Sequence, residues 1–339
     1  MTKLLEVKNL HTRFKVRNGY LYAVNGVSFT LDKGEMLGVV GESGCGKSVS
    51  MMSLIRLLPP AAQITEGEVL LEGQDLAKAS ASEINTVRGS KVGMIFQDPM
   101  TSLNPFMKIG AQLCEGIMYH KKMSRAEAMK QAAKYLDLVG ISNSEHRLHE
   151  YPHQLSGGMR QRVMIAMALL GEPELVIADE PTTALDVTIQ AQIVELVKEL
   201  REKLNMSIIW ITHDLSLLAG MVDRIMVMYG GSVVEEAPID EIYKNPRHPY
   251  TIGLLKSIPS INTVAGSRLP SIAGAPPNLF VEPQSCPFAP RCAYRQERCT
   301  REIPPLEPVA DDSAHPKHRI ACWVDVTKVN AEPKEGSVL

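Results

Sequence analysis

No stretch of this 339-residue chain reaches the roughly 18 consecutive apolar residues of a membrane-spanning helix. The longest clean apolar run, Val163 to Leu170, is far too short, so any membrane connection is expected to pass through a partner. The opening MTKLLEVKNL lacks the long apolar segment of a secretory signal, and the chain is expected to stay in the cytosol. A basic excess is missing too. Lys and Arg number 36 against 38 Asp and Glu, a formal charge of −2. That argues against nucleic acid as the main partner, because such binders concentrate positive charge. There is no internal repeat and no low-complexity tract, so the chain reads as globular.

What is present is a large apolar fraction, 45%, enough for a substantial core. The length implies two domains, or one large domain with an appendage. Residues 1–40 read as short strands, ending in the buried strand Met36 to Val40. Ser48 to Leu58 reads as a helix stopped by Pro59-Pro60. GEVLLEG at 67–73 and Val92 to Phe96 read as strands. From about 98 to 165 the pattern turns helical. Ser124-Arg-Ala-Glu127 has capping-box form, Met129, Ala132, Leu136 and Val139 follow at helical spacing, and Gly140 can end that helix. Leu175 to Ala178, Ser207 to Ile211 and Ile225 to Met228 read as strands, with an amphipathic helix at Ile189 to Leu204. Strands alternating with helices imply a mostly parallel α/β sheet. Beyond about 240 the regularity fades into short proline-containing segments. The expected division is therefore 1–240, with the helical insertion inside it, and a C-terminal unit at 241–339.

The first motif with chemistry is Gly41-Glu42-Ser43-Gly44-Cys45-Gly46-Lys47-Ser48. It fits G-x-x-x-x-G-K-[ST] and lies between a predicted strand and a predicted helix, the context such a phosphate-binding P-loop requires. Glycines let the backbone curl so that successive N–H groups face phosphate. The helix carrying Lys47, Ser48 and Val49 adds its positive end. Lys47 is expected to reach the β- and γ-phosphates of ATP, and the Ser48 hydroxyl to bind Mg²⁺. Cys45 fills a variable slot and reads as a spectator. A plain strand–turn–helix connection is the alternative.

Leu175-Val-Ile-Ala-Asp179-Glu180 is an apolar strand ending in two carboxylates, at the strand edge where ligands bind in such sheets. Asp179 is expected to hold Mg²⁺, and Glu180 to orient or deprotonate an attacking water. Leu155-Ser156-Gly157-Gly158-Met159 opens a helix with small residues whose N–H groups form an anion site; a simple helix cap is the alternative.

These pieces, in this order, resemble the ABC ATPase family. LSGGM resembles its signature motif. Gln97 at a strand end resembles the Q-loop glutamine, Ala184-Leu185-Asp186 the D-loop, and His213 after SIIWIT the switch histidine. Asp186 also suits an N-cap, and His213 an ordinary strand end. The resemblance implies an α/β P-loop NTPase core with an inserted helical subdomain. It further implies head-to-tail pairing, so that Ser156, Gly157, Gly158 and Met159 act on nucleotide held by the partner. Glu180, His213 and Gln97 become the expected catalytic set, with Gln97 a further Mg²⁺ ligand. The adenine ring usually stacks on an early aromatic. Phe14 is the first candidate, with Tyr20 and Tyr22 next, in a loop RFKVRNGYLYAV longer than usual.

Cys286, Cys292, Cys299 and Cys322 form C-x5-C-x6-C-x22-C. The C-x2–4-C pair common in zinc sites is missing, as is the C-x2-C-x2-C run of bacterial ferredoxins. Spacing alone leaves iron–sulfur, zinc and unligated thiols open. His315 and His318 are possible substitute ligands, and Arg291, Arg295 and Arg298 would suit an anionic cluster.

The segment NPRHPYT at 245–251, then GLLKSIP and CPFAPRC, resembles the C-terminal extension of oligopeptide/dipeptide importer ATPases. That resemblance implies a small irregular C-terminal domain with a four-cysteine [4Fe–4S] cluster, structural or redox-sensing rather than catalytic. Met159 within LSGGMRQRV resembles the D-type subunit. The implied assembly is a heterodimer with an F-type ATPase on the cytoplasmic face of the membrane. Two permeases would press near Gln97 to Pro105, and an extracytoplasmic peptide-binding protein would deliver substrate. A nickel or other small-solute importer of the same subfamily is the runner-up. A soluble regulatory or redox-sensing ABC ATPase is the alternative from another class.

Overall fold

A computed structural model describes residues 2–183, 185–258, 271–309 and 317–328. The chain folds into two compact units, each drawn from separated stretches. One gathers Lys3–Leu31, Leu37–Ala77 and the chain from Thr212 onward. The other is built mainly from Asp32–Met36 and Lys78–Ile211.

In the first unit, Lys3–Val16 and Gly19–Asp32 are strands of 14 residues each, joined at Arg17-Asn18. Val27, Phe29 and Leu31 are buried while Ser28 and Thr30 between them are not, the period of two that a half-covered strand needs. The expected short strands and long loop at 13–24 are thus one long hairpin. Lys3–Val16 also pairs antiparallel with Ala62–Leu71, from Leu5 opposite Leu71 to Phe14 opposite Ala62.

The strand Met36–Val40 is buried at every position. It runs parallel to Arg224–Tyr229, with Leu37 opposite Arg224 and Val40 opposite Val227. Unbroken apolar character is what a parallel strand covered on both faces requires. Ser232–Pro238 pairs antiparallel with Arg224–Tyr229, and Arg319–Ile320 pairs with Ser232–Pro238 in turn. Residues well beyond 240 therefore add strands beside the ones that carry the P-loop. Arg224 and Glu236 form a buried ion pair between neighbouring strands, and Arg319 Nη1 lies 3.4 Å from the same carboxylate. The helices Ile239–Lys244 and Pro249–Lys256 are short. The helix expected over Ser48 to Leu58 spans Lys47–Leu54 and ends before the Pro59-Pro60 pair.

In the second unit, Val92–Ile95, Leu175–Asp179 and Ser207–Thr212 lie side by side in parallel. Helices at Ile109–Lys121, Arg125–Leu138 and Gly157–Leu169 occupy the region expected to be helical. The capping box is real. The Ser124 hydroxyl accepts from the Glu127 N–H at 3.3 Å, and Glu127 Oε2 accepts from the Ser124 N–H at 2.9 Å. Among the described residues no helix is long and apolar enough to cross a membrane.

Candidate functional site

The P-loop leaves the buried strand Met36–Val40 and enters the helix Lys47–Leu54. Gly41 has φ +152°, and a Cβ there would lie 2.2 Å from the Met228 carbonyl oxygen. Gly46 has φ +98° and caps the helix, with the Ala23 carbonyl oxygen 2.3 Å from a hypothetical Cβ. Only glycine fits both places. Lys47 is buried and folded back on its own loop, donating to the Gly41 carbonyl at 2.8 Å and the Glu42 carbonyl at 3.1 Å. Cys45 is buried, and burial pushes its thiol up. Ser43 and Gly44 are exposed, and Ser48 and Val49 half-buried.

Glu42 has two partners that local sequence reasoning missed. Its N–H donates to the Tyr250 hydroxyl at 2.8 Å. Its carboxylate accepts from Arg291 Nη1 and Nη2 at 2.6 and 3.0 Å. Both partners lie in the C-terminal stretch, and no local pattern announces them.

In the second unit, Asp179 ends its strand opposite Ile211 and is buried. Glu180 follows with φ +45°, a left-handed conformation uncommon for a residue with a side chain. Its N–H donates to the Ile211 carbonyl at 3.0 Å, which holds that conformation. Glu180 Oε2 accepts from Gln97 Nε2 at 3.4 Å and from the Thr183 hydroxyl at 3.0 Å. Two of the three expected catalytic residues therefore meet. Thr183 is a further member that the sequence reading passed over, although it stands beside the carboxylate pair. His213 is exposed, just past Ser207–Thr212.

Ser156 caps the helix Gly157–Leu169, its hydroxyl accepting from the Met159 N–H at 3.3 Å. Ser156 and Gly157 are exposed, and a Cβ at Gly157 would meet open space. Gly158 and Met159 are half-buried; a Cβ at Gly158 would sit 3.0 Å from Ile189 Cγ2. The start of a 13-residue helix is thus left open to an anion. Asp186 caps Val187–Leu204, accepting from the Ile189 N–H at 3.0 Å. Ala184 lies outside the described residues.

The four clustered cysteines come near one another. Burial raises the Cys286 thiol, lifts Cys292 to about 11 and Cys322 to about 12, and neighbouring thiols add to each rise. Yet among the described residues no three His, Cys, Asp or Glu side chains form a group that could hold a metal ion. Cys286, Cys292, Cys299 and Cys322 thus do not stand as such a group. The substitute ligands fare no better. His318 is fully buried with its Nε2 2.9 Å from Glu235 Oε1, and His315 lies outside the described residues. Arg291 is engaged by Glu42. Arg298 lies 3.4 Å over the Trp323 ring and bonds Glu302. Arg295 lowers the Cys292 thiol against the dominant effect of burial.

Comparison with known proteins bears on both regions. The ABC transporter family profile matches residues 24–183. A second profile, the oligopeptide/dipeptide transporter C-terminal region, matches residues 234–299. The oligopeptide transport ATP-binding protein OppD of Bacillus subtilis (strain 168) is 50% identical over 339 residues, covering 99% of this chain and 93% of that protein. The dipeptide transport ATP-binding protein DppD of the same organism is 50% identical over 325 residues, covering 96% and 95%.

The chain belongs to the ABC transporter ATP-binding family.

It is an ABC-type ATPase with the P-loop fold of that family. The ATP-binding cassette MJ0796, solved as a dimer in a post-hydrolysis state bound to ADP and Pi, aligns with a TM-score of 0.62 at 29% identity, covering 69% of this chain and 98% of that one. Phe14 is half-buried in its strand. Tyr20 lies under the Arg13 guanidinium, 4.1 Å from ring centroid to charge. Tyr22 is half-buried, its N–H donating to the Leu279 carbonyl at 2.8 Å.

Proposed function

We propose that this chain is the ATP-hydrolysing subunit that powers import of oligopeptides or dipeptides. The observation that carries this is the match along nearly the whole chain to ATP-binding proteins of oligopeptide and dipeptide transport, C-terminal region included.

In this reading the N–H groups from Gly41 to Val49 hold the phosphates of ATP. Lys47 leaves the Gly41 and Glu42 carbonyls and turns to the β- and γ-phosphates. Phe14 or Tyr22 stacks on the adenine. Ser48, Gln97 and Asp179 offer the oxygen donors that Mg²⁺ prefers and would hold it; when bound, that ion neutralises phosphate charge. Glu180 orients or deprotonates the attacking water, its carboxylate set by Gln97 and Thr183. His213 acts at the γ-phosphate end. Ser156, Gly157, Gly158 and Met159 act on nucleotide held by an F-type partner ATPase, with Asp186 near that contact. The nucleotide-binding domain is residues 1–240, its helical subdomain about 98–165, and the extension 241–339.

Two permeases and an extracytoplasmic peptide-binding protein complete the assembly, and the chain sits peripherally on the cytoplasmic face of the membrane. The exposure of Met100, at 61%, and of Phe106, at 89%, supports a permease contact around Gln97 to Pro105. The test is the purified assembly in liposomes with the binding protein supplied. Peptide-stimulated ATP hydrolysis with peptide uptake is expected. Stimulation by nickel alone would favour the small-solute reading, and an assembly lacking permeases would favour a soluble regulatory ATPase.

A second reading concerns the C-terminal thiols. The likeness of this stretch to the oligopeptide/dipeptide transporter C-terminal region supports a shared role as ligands of a [4Fe–4S] cluster or Zn²⁺. The absence of an assembled ligand group among the described residues stands against it. Anaerobic purification with iron, sulfide and zinc assays decides: about four irons per chain would support the cluster, about one zinc the zinc site, and neither would leave free thiols.

A further inference from the structure

We infer that Arg291 is a positioning residue for the P-loop, so that the cysteine-bearing C-terminal segment is part of the nucleotide site. This rests on the reading of Gly41 to Ser48 as the ATP phosphate cradle.

Arg291 lies between Pro290 and Cys292, in sequence remote from the P-loop. A guanidinium has five N–H donors, and here five acceptors meet them. Nε donates to the Ala273 carbonyl at 2.9 Å. Nη1 donates to Glu42 Oε2 at 2.6 Å and to the Tyr229 hydroxyl at 3.2 Å. Nη2 donates to Glu42 Oε1 and the Ile272 carbonyl, both at 3.0 Å. The Arg291 side chain is only 4% exposed, against 28% for Glu42. An exposed ion pair contributes little. A bidentate pair with one partner buried and every donor satisfied is a different object, because its geometry is determined and solvent screens it weakly.

The other end of the contact is just as complete. The Glu42 carboxylate takes the fork, its N–H donates to the Tyr250 hydroxyl, and its carbonyl accepts from Lys47. Tyr250 is itself packed against Tyr229 and Phe288, with centroids 4.6 and 5.4 Å away. Phe288 belongs to the same CPFAPRC stretch as Arg291. The C-terminal segment therefore grips one P-loop residue by both backbone and side chain. On either side of Glu42 and Ser43 stand Gly41 and Gly44, with φ of +152° and +77°. Such a loop has many shapes open to it, and few of them aim their N–H groups at phosphate. Anchoring Glu42 removes most of those shapes before ATP arrives, which is preorganisation.

The test is calorimetric titration of the full-length chain with Mg²⁺ and the non-hydrolysable analogue AMP-PNP. Arg291→Ala is expected to weaken binding about tenfold, about 1.4 kcal/mol. Arg291→Lys keeps the charge but not the fork and is expected to fall between. Glu42→Gln should weaken binding comparably, and adding Arg291→Ala to it should then change little, because the partner is already lost. A general folding defect would instead multiply in the double variant; that result, or unchanged affinity in Arg291→Ala, overturns the inference. If Arg291→Ala does not fold, the cycle of Arg291→Lys with Glu42→Gln makes the same comparison. Lys47→Ala in the same titration separates the two readings. Retained affinity there refutes the P-loop assignment itself, whereas lost affinity with multiplying Arg291 and Glu42 effects refutes only the role of Arg291.

Discussion

Gly46→Ala tests how far the P-loop depends on its glycines. At φ +98° an L-residue sits in the left-handed region, at a cost of about 1–2 kcal/mol. The added methyl would also fall 2.3 Å from the Ala23 carbonyl oxygen. That atom is main chain in the strand Gly19–Asp32 and cannot swing aside as a side chain would. Relief of such overpacking costs about 1–3 kcal/mol, so the total is about 2–5 kcal/mol. Gly44→Ala is the internal control. It keeps a positive φ of +77° but meets no atom within 4 Å, so only the backbone share, about 1–2 kcal/mol, remains. Urea unfolding followed by circular dichroism gives both values. Gly46→Ala should be clearly the less stable variant and should bind Mg-ATP at least tenfold more weakly. Equal stability of the two variants would refute the steric argument.

Glu180→Gln should keep ATP bound while steady-state hydrolysis nearly disappears; retained turnover would remove Glu180 from its role. His248 provides a pH prediction. Burial depresses its pKa from 6.5 to about 4, against the opposing pull of Glu235. Its Nδ1 accepts from the Tyr250 N–H at 3.1 Å, which requires the neutral ring, and the Glu235–His318 pair lies beside it. The unfolded chain takes up this proton near pH 6.5 and the folded chain only near 4. The contribution of His248 is therefore complete above pH 6.5 and is lost as pH falls toward 4. Asn at 248 keeps an acceptor at the start of Pro249–Lys256 and does not titrate, so His248→Asn should flatten the fall in unfolding midpoint across that window. Identical slopes would contradict it.

The ABC motifs were legible because each is local. Gly41 and Gly46 are dictated by turn geometry, and Ser124 with Glu127 by helix capping. An apolar run ending in Asp179-Glu180 reads as a strand with its acids at the edge. The hairpin at residues 3–32 was not legible. Arg17-Asn18-Gly19 marks a turn, but the polar residues around it, in a strand only half covered, look like loop. Spacing alone left the four cysteines open between iron–sulfur, zinc and unligated thiols, and among the described residues no metal-holding group of three His, Cys, Asp or Glu forms. His318, a possible substitute ligand in the sequence, pairs with Glu235, a partner 83 residues away.

By itself the sequence determined where the glycine-rich P-loop, acidic strand ends and an open helix start must form, since those depend on neighbours in the chain. Only the tertiary structure decided that Gln97 and Thr183 share the Glu180 carboxylate, and that Arg291, 249 residues away, forks onto Glu42. Such pairs form when strands and turns distant in sequence are brought side by side. Their distances are set by packing rather than by any pattern a local reading can detect.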